Sequence, residues 1–492
     1  MARECKHPPS AACLSASMRD LGYSLETAIA DLIDNSISAG ADTIDIICDV
    51  SDKNPVVVIH DNGRGMTADE LLDAMRHGTG NPRQHRSLQD LGRFGLGLKT
   101  SSFSQCRSLT VVSTRNEAIC GAEWNLDRID AADDWILSIL DDVDIHALPY
   151  IERLGSRGTV VIWRELDRLL EDEDGDRRDE IVNEKLDVVG RHLSLVFHRF
   201  LSGEIKGSPR ISLAINGRPI MAFDPFCRKN PATQVLPEEI VRIGEAEVRL
   251  QPYVLPHHSR LSASEYDHYQ DRSDFISNQG GYVYRNGRLM AWGDWFRLVP
   301  KGEATKLARV QIDFPNSLDE AWTIDIKKSR ARPPHAVRER LRQIISKITA
   351  RSVTVHRGRG QRLFQESQAP FWERYADHDG IRFAINGQHP LIASLCARFS
   401  PEDVDLLRVL LDSIAASLPV EMIYSDFSTR PREINQTPVD ESQTLERLKS
   451  LRQVLYGDGP SDPSTFLQIV RSTHLFDGQL EMAEKFIRET LA

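Results

Sequence analysis

The 492-residue chain lacks most of the features that mark whole classes of protein. It has no run of 18 apolar residues, so nothing in it reads as a transmembrane helix. The opening residues Met-Ala-Arg-Glu-Cys-Lys-His-Pro-Pro carry no apolar core of a secretory signal. Cysteine is sparse: seven, at positions 5, 13, 48, 106, 120, 227 and 396, an odd number with neither zinc-site spacing nor a disulfide framework. The expectation is a cytoplasmic protein with reduced thiols and no membrane partner. Excess positive charge is also missing. A net charge of −11 argues against a surface that coats nucleic acid throughout, though not against a local basic track. There is no repeat and no low-complexity tract. The remainder, 40% hydrophobic and 27% charged, is ordinary soluble composition, and the length calls for roughly two to four domains.

What is present begins with residues 24–41, Ser-Leu-Glu-Thr-Ala-Ile-Ala-Asp-Leu-Ile-Asp-Asn-Ser-Ile-Ser-Ala-Gly-Ala. Ser24 suits an N-cap and Gly40 a C-terminal stop. Ala28, Ile29, Leu32, Ile33 and Ile37 recur at helical spacing and form a core-facing stripe. Asp31 and Asn35, four apart, share one face. Alone, such a pair reads equally as a solvated surface. Glu26 reads as a first-turn acid favouring the helix dipole.

Residues 1–20 read as an arm. Strands are predicted at 43–50 and 55–60, the second running into Asp61-Asn62-Gly63-Arg64-Gly65-Met66-Thr67, followed by a helix over 68–76. His77-Gly78-Thr79-Gly80 opens a polar segment that closes at Gly92-Arg-Phe-Gly95-Leu96-Gly97-Leu98-Lys99-Thr100, a candidate lid with glycine at both ends. With strands at 109–114, 118–125 and 158–163, residues 21–165 predict an α+β sandwich, a sheet with helices on one face. The acidic stretch 165–179 is expected to be a solvated linker or a helix end. A helix over 180–202, a hairpin around Asn216-Gly217, and strands at 247–255, 281–285, 289–292 and 308–314 make a second α/β domain over 178–350. Residues 351–492 read as mostly amphipathic helix, with 418–438 strand-like or irregular.

A strand-end aspartate can accept a hydrogen bond from an exocyclic amine, and glycines let a planar ring approach the backbone. A plain turn gives the same Asp-x-Gly-x-Gly string. Glycine-rich amides opening a helix bind phosphate. The 92–97 segment is neither a Rossmann fingerprint, since no strand leads into it, nor a Walker A loop.

In this order, Asp-x3-Asn on a helix, Asp-x-Gly-x-Gly, Gly-x-Gly before a helix, and Gly158-Thr159 opening a strand resemble the GHKL ATPase superfamily over about residues 15–165. That superfamily holds gyrase, the large heat-shock chaperone, histidine kinases, MutL and the MORC proteins. The strings Ala-Ile-Ala-Asp-Leu-Ile-Asp-Asn-Ser-Ile and Gly-Leu-Gly-Leu-Lys-Thr look most like MORC-like prokaryotic members. The resemblance implies a Bergerat-type ATP-binding α/β sandwich, an S5-like transducer domain and a mostly helical C-terminal region.

By position, the resemblance makes Asn35 the ligand of Mg²⁺ and triphosphate, and Asp61 the adenine-binding aspartate with Gly63 and Gly65 beside it. Met66 is the apolar wall, and Thr159 holds adenine through water. Gly78 and Thr79 stand at one end of the lid; Gly95, Leu96, Gly97, Leu98 and Lys99 lie at the phosphates. The general-base position, usually glutamate, is Asp31, one methylene short, which implies slow hydrolysis or a compensating shift of the helix. Asp34 is the next carboxylate, or a partner in the same pocket.

A transducer lysine reaching the γ-phosphate falls on Lys327 or Lys328, unless both simply belong to a basic run. From 327 to 362 twelve Lys and Arg face one acid, Glu339. That run tracks DNA or RNA phosphates, or pairs with the acidic 165–180 segment or another subunit. The implied function is a slow Mg²⁺-dependent ATPase acting as an ATP-driven homodimerisation switch or clamp. Its setting is DNA manipulation or antiviral defence beside a partner nuclease or helicase. A chaperone-like ATPase acting on proteins and a nucleotide-sensing scaffold with little turnover are the alternatives; a kinase reading lacks a phosphoacceptor helix.

Overall fold

The computed structural model describes residues 9–51, 54–78, 91, 97–169, 177–256, 260–270, 277–302, 305–324, 331–348, 370–377, 380–429, 441–457, 462–473, 475–476 and 479–491. The chain divides into two compact units, 1–348 and 349–492.

The first unit is organised by alternation. Helices α1 (Ala11–Arg19) and α2 (Leu25–Ser38) precede β1 (Thr43–Asp49) and β2 (Val56–Asp61). Along β2, Val57 and Ile59 enter the large core beneath the helices, while Val58 enters a smaller core on the other face. Next come α3 (Ala68–Met75), closed by a Thr67/Glu70 capping box, and α4 (Gly97–Phe103). They are followed by β3 (Ser108–Arg115), β4 (Ala118–Asn125), α5 (Leu126–Ala132), β5 (Leu137–Leu140), α6 (Asp142–His146) and β6 (Gly158–Arg164). Helix α2 supplies Ala28, Ile29, Leu32 and Ile33 to the large core, the stripe its spacing predicts.

The sheet does not end at residue 165. After α7 (Arg178–Val196) and α8 (His198–Ser202), strand β7 (Ser212–Ile215) pairs parallel with β1, and β8 (Arg218–Pro219) closes the edge. The order is β5-β4-β3-β6-β2-β1-β7-β8. The expected break between 165 and 178 therefore does not separate the two sheets. Residues 165–169 are not a solvated linker either: Leu166 and Leu169 are buried, and Asp167 accepts two hydrogen bonds of 2.7 Å from Arg19. Helix α7 packs on α2 and belongs to the first core through Val182, Val189, Leu193 and Val196.

The second sheet contains β9 (Gln234–Val235), β10 (Glu239–Ile243) and β11 (Ala246–Val254), then, after α9 (Ala263–Gln270), β12 (Gly280–Arg285), β13 (Arg288–Asp294) and β14 (Ala308–Phe314). Its order is β10-β11-β14-β12-β13, antiparallel except for β12 with β14. The Asn216-Gly217 and Asn286-Gly287 turns both have positive φ at both residues, the requirement of a tight hairpin. A small pair, β15 (Thr323–Ile324) and β16 (Ala331–Arg332), leads to helix α10 over 335–348, which covers the sheet with Val337, Leu341, Ile344, Ile345 and Ile348.

The second unit holds the hairpin β17 (Trp372–Asp377) and β18 (Gly380–Ile385), then α11 (Pro390–Cys396), α12 (Pro401–Ala416), α13 (Val420–Thr429), α14 (Glu441–Tyr456), α15 (Pro463–Ser472) and α16 (Leu480–Leu491). It is mostly helical. Part of the stretch expected to be irregular forms α13, because Pro419 is tolerated just before a helix and Val420–Thr429 contains neither glycine nor proline. Among the described residues no helix is long and apolar enough to cross a membrane.

Candidate functional site

Three segments meet at the end of β2. Asp61 is its last residue, paired in register with Ile44 of β1 and Thr159 of β6. Its carboxylate is buried at 5% exposure, and burial pushes its pKa above the usual carboxylate value against the pull of its hydrogen bonds. Oδ2 accepts from Ser36 Oγ at 2.8 Å, and Oδ1 accepts from the Gly63 amide at 2.8 Å. The chain then turns through Gly65 at φ +68°, where a Cβ would lie 1.9 Å from the Thr114 carbonyl oxygen. Only glycine lets the 63–66 segment lie this close against β3. The Met66 amide donates to Ser113 Oγ at 2.9 Å, and that hydroxyl reaches the Gly158 carbonyl at 2.9 Å and Thr159 Oγ1 at 3.0 Å. A buried carboxylate, a glycine-lined wall and a hydroxyl chain thus share one locus. Such a set can read a planar base by one donor–acceptor contact and shape.

Helix α2 supplies the opposite wall. Asp31 is buried at 4% exposure, with Oδ2 accepting from Tyr23 Oη at 3.2 Å. The Cβ position of Gly97, first residue of α4, lies 3.6 Å from that oxygen. Asn35, one turn on, is exposed. Asp34 is buried and ion-paired at 3.2 Å with Arg288 of β13. Glu26 sits in the first turn of α2 and lines a separate cleft of about 460 Å³ with Arg191, His192, Tyr282, Trp292 and Arg309, away from the motif residues.

On α4, Lys99 is 2% exposed and donates to the Ala74 carbonyl at 2.8 Å; burial lowers its ammonium to about 8. Leu98 is half-buried beside it. His77 lies among the rings of Phe103, Trp124 and Trp135, at 5.7, 5.6 and 4.4 Å. Burial, then the Lys99 charge, brings His77 down to about 4, so it is neutral at pH 7. Gly78 follows, exposed, at φ +76°. Thr79, Gly95, Leu96, Lys327 and Lys328 lie outside the described residues.

The described part of the basic run is largely paired. Arg340 and Lys347 both reach Glu239 of β10, and Arg342 reaches Glu339. The two contacts to Glu239 join α10 to its own sheet, while Arg342–Glu339 lies within the helix. Among the described residues no group of three or more His, Cys, Asp or Glu could hold a metal. Mg²⁺ delivered with a triphosphate needs few protein oxygens, and an exposed carboxamide at Asn35 fits that demand.

A family model described as histidine kinase-, DNA gyrase B-, and HSP90-like ATPase matches residues 23–159, a span that contains every contact of the Asp61 site. This chain carries a GHKL ATPase domain. DNA mismatch repair protein MutL of Microcystis aeruginosa is 35% identical over 96 residues, 19% of this chain and 17% of that protein. The MutL proteins of Halobacterium salinarum and Elusimicrobium minutum are 34% identical over 106 residues and 38% over 66, covering 16% and 11% of their lengths. The chain therefore spans less than a fifth of the curated relatives it matches. Of the residues that meet at Asp61, Gly63, Gly65, Met66 and Thr159 stand in strings read from the sequence; Ser36 and Ser113 were not singled out. Ser36 could have been found one residue beyond Asn35, on the side of α2 turned from solvent. Ser113 had no signal beyond its place in a strand.

Proposed function

We propose that this chain binds Mg²⁺-ATP in the Asp61 pocket and hydrolyses it slowly, using nucleotide occupancy to drive association of two copies. The observation that carries this reading is the Asp61 carboxylate, buried and held from two sides by Ser36 and Gly63 beside a glycine that no other residue can replace. In this reading Asp61 accepts from the adenine amine, with Gly63, Gly65 and Met66 against the ring and Thr159 near it. Asn35 holds the metal, which neutralises phosphate charge when bound. Gly97 and Lys99 are at the phosphates, with Gly78, Thr79, Gly95, Leu96 and Leu98 framing them. Asp31 is the general base, orienting water through a carboxylate that Tyr23 fixes. Lys327 or Lys328 is the transducer lysine. Residues 178–350 act as an S5-like transducer and 351–492 as a separate helical region.

The relatives named above are mismatch-repair proteins, and the motif strings resemble MORC-like members. DNA manipulation, in a defence setting with a partner nuclease or helicase, is therefore the setting we assign. The pairing of Arg340 and Lys347 with Glu239 leaves them poorly placed for nucleic acid, so DNA contact through 327–362 falls to the other basic residues. A second reading, a nucleotide sensor with little turnover, is favoured by the short reach of Asp31. Isothermal titration of ATP against wild type and Asp61→Asn tests the pocket, because the amide presents a donor where the adenine amine needs an acceptor. The expected loss is at least about 30-fold, near 2 kcal/mol. Retained affinity in Asp61→Asn would remove the site. Tight binding without phosphate release by wild type would favour the sensor.

A further inference from the structure

Arg288 opens β13 just beyond the Asn286-Gly287 turn, and its side chain is 5% exposed. Its Nε donates to Asp34 Oδ1 at 3.2 Å, and its Nη1 donates to the Leu289 carbonyl at 2.8 Å. The guanidinium carbon lies 5.7 Å from the centre of the Phe197 ring. Asp34 is itself 1% exposed. A buried ion pair is a weak source of net stability, since desolvation offsets most of the attraction. What it supplies, and an apolar pair does not, is a fixed direction between two elements. The elements here are the second sheet and α2, joined across 254 residues of sequence.

The same hairpin grips the first half of the unit at a second point. Arg285, 1% exposed, holds both oxygens of Asp319 at 2.7 Å and donates through Nη1 to the Leu91 carbonyl at 3.1 Å. The two arginines flank one tight turn, so the hairpin is fixed at both ends of that turn.

Asp34 is next to Asn35 and three residues after Asp31. A rotation of α2 by 20° moves a side-chain atom some 5–6 Å from the helix axis by about 2 Å, more than a hydrogen bond tolerates. We propose that Arg288 is a positioning residue for the metal-binding end of the nucleotide site. By holding Asp34 it fixes the rotation of α2 that presents the Asn35 carboxamide and the Asp31 carboxylate. The proposal rests on the Mg²⁺-ATP reading of that site. It makes the second sheet part of the nucleotide site without contacting nucleotide.

The test is calorimetric titration of ATP into the full chain, with and without Mg²⁺, beside thermal denaturation of the nucleotide-free protein. Arg288→Gln is expected to weaken Mg²⁺-dependent binding about tenfold. Metal-free binding, carried by the Asp61 end, is expected to change by less than about twofold. Arg288→Lys keeps a cation in the pair and is expected to lose only about threefold, again in the Mg²⁺ arm alone. It also supplies the comparison if the glutamine variant does not fold. Wild-type Mg²⁺-ATP affinity in Arg288→Gln overturns the proposal, as does an equal loss in both arms, the signature of a merely structural residue. If wild type binds no ATP in either arm, the nucleotide reading itself falls and this one with it. Binding by wild type with an unchanged variant sinks the clamp alone.

Discussion

Gly65 and Gly40 have similar left-handed backbones, φ +68° and +77°, but opposite surroundings. A Cβ at Gly40, just past the end of α2, meets nothing within 4 Å. A Cβ at Gly65 would sit 1.9 Å from the Thr114 carbonyl oxygen and 2.8 Å from its carbon. Thr114 is paired on both sides, to Ile119 of β4 and Gly158 of β6, so β3 cannot shift without disturbing two ladders. Gly40→Ala therefore carries only the backbone cost, about 1 kcal/mol. Gly65→Ala carries that cost and the displacement of a packed strand by about 1 Å or more, a further 1–3 kcal/mol or so. At roughly 2–4 °C per kcal/mol, the first transition in scanning calorimetry is expected to fall by about 3 °C for Gly40→Ala and by about 5–15 °C for Gly65→Ala. The Gly65 variant is also expected to lose ATP binding, because relief of the clash pushes the 63–66 segment into the space for the base. Equal shifts for the two variants, with ATP affinity kept in both, would refute the close-approach argument.

Two further predictions concern the helix walls. Lys99 titrates near 8 when folded and near 10.5 when free, so between those values the unfolded chain holds more protons, and stability rises as pH climbs through that window. Below pH 8 the buried charge costs up to about 3 kcal/mol. Lys99→Met is therefore expected to raise the calorimetric midpoint at pH 7 by up to about 10 °C, a gain that fades by pH 10; a pH-independent shift would exclude the buried ammonium as its cause. Asp31→Asn keeps the volume and the Tyr23 contact but removes the carboxylate proposed as general base. Phosphate release is expected to fall about 100-fold or more with ATP affinity within a few-fold, and undiminished turnover would assign the base elsewhere.

Much of the first sheet was legible because the alternation of β1 and the apolar run of β2 are local signals. Strand β7 was not assigned to that sheet, because its parallel pairing with β1 joins Thr43 to Ser212, and nothing near either residue announces the other. The same holds for the site. Asp61 and its glycines stand in one short string and were found together. The partners that set their environment were not: Ser36 and Ser113 are serines in a regular helix and strand, and serine alone carries little information about burial. Asp34 was noticed as a second carboxylate on α2. Its role was out of reach because Arg288 comes from another sheet. The linker expected at 165–179 failed at its start for a related reason. Charge suggested solvent there, but Asp167 has Arg19 as partner and Leu166 and Leu169 enter the core.

These contacts concentrate on a single turn and a half of α2. Asp31 meets Tyr23 and the edge of α4, Asp34 meets the second sheet, Asn35 faces outward and Ser36 holds Asp61. Asp31 and Asn35 share one face while Asp34 and Ser36 flank it on either side, so any rotation of α2 alters the contacts of Asp31, Asp34 and Ser36 and the presentation of Asn35 together. That geometry bears on the missing methylene at position 31. A glutamate there would carry its carboxylate about 1.5 Å farther, toward the first residue of α4, whose Cβ position already lies at ordinary contact distance from Asp31 Oδ2. The shorter side chain matches an α4 that packs close on α2, with Gly97 at the contact. The reach of the Asp31 carboxylate, the proposed base, is then set by the spacing of the two helices as much as by the residue. Arg288 enters the same relation from the other side, since it anchors the helix on which that spacing depends.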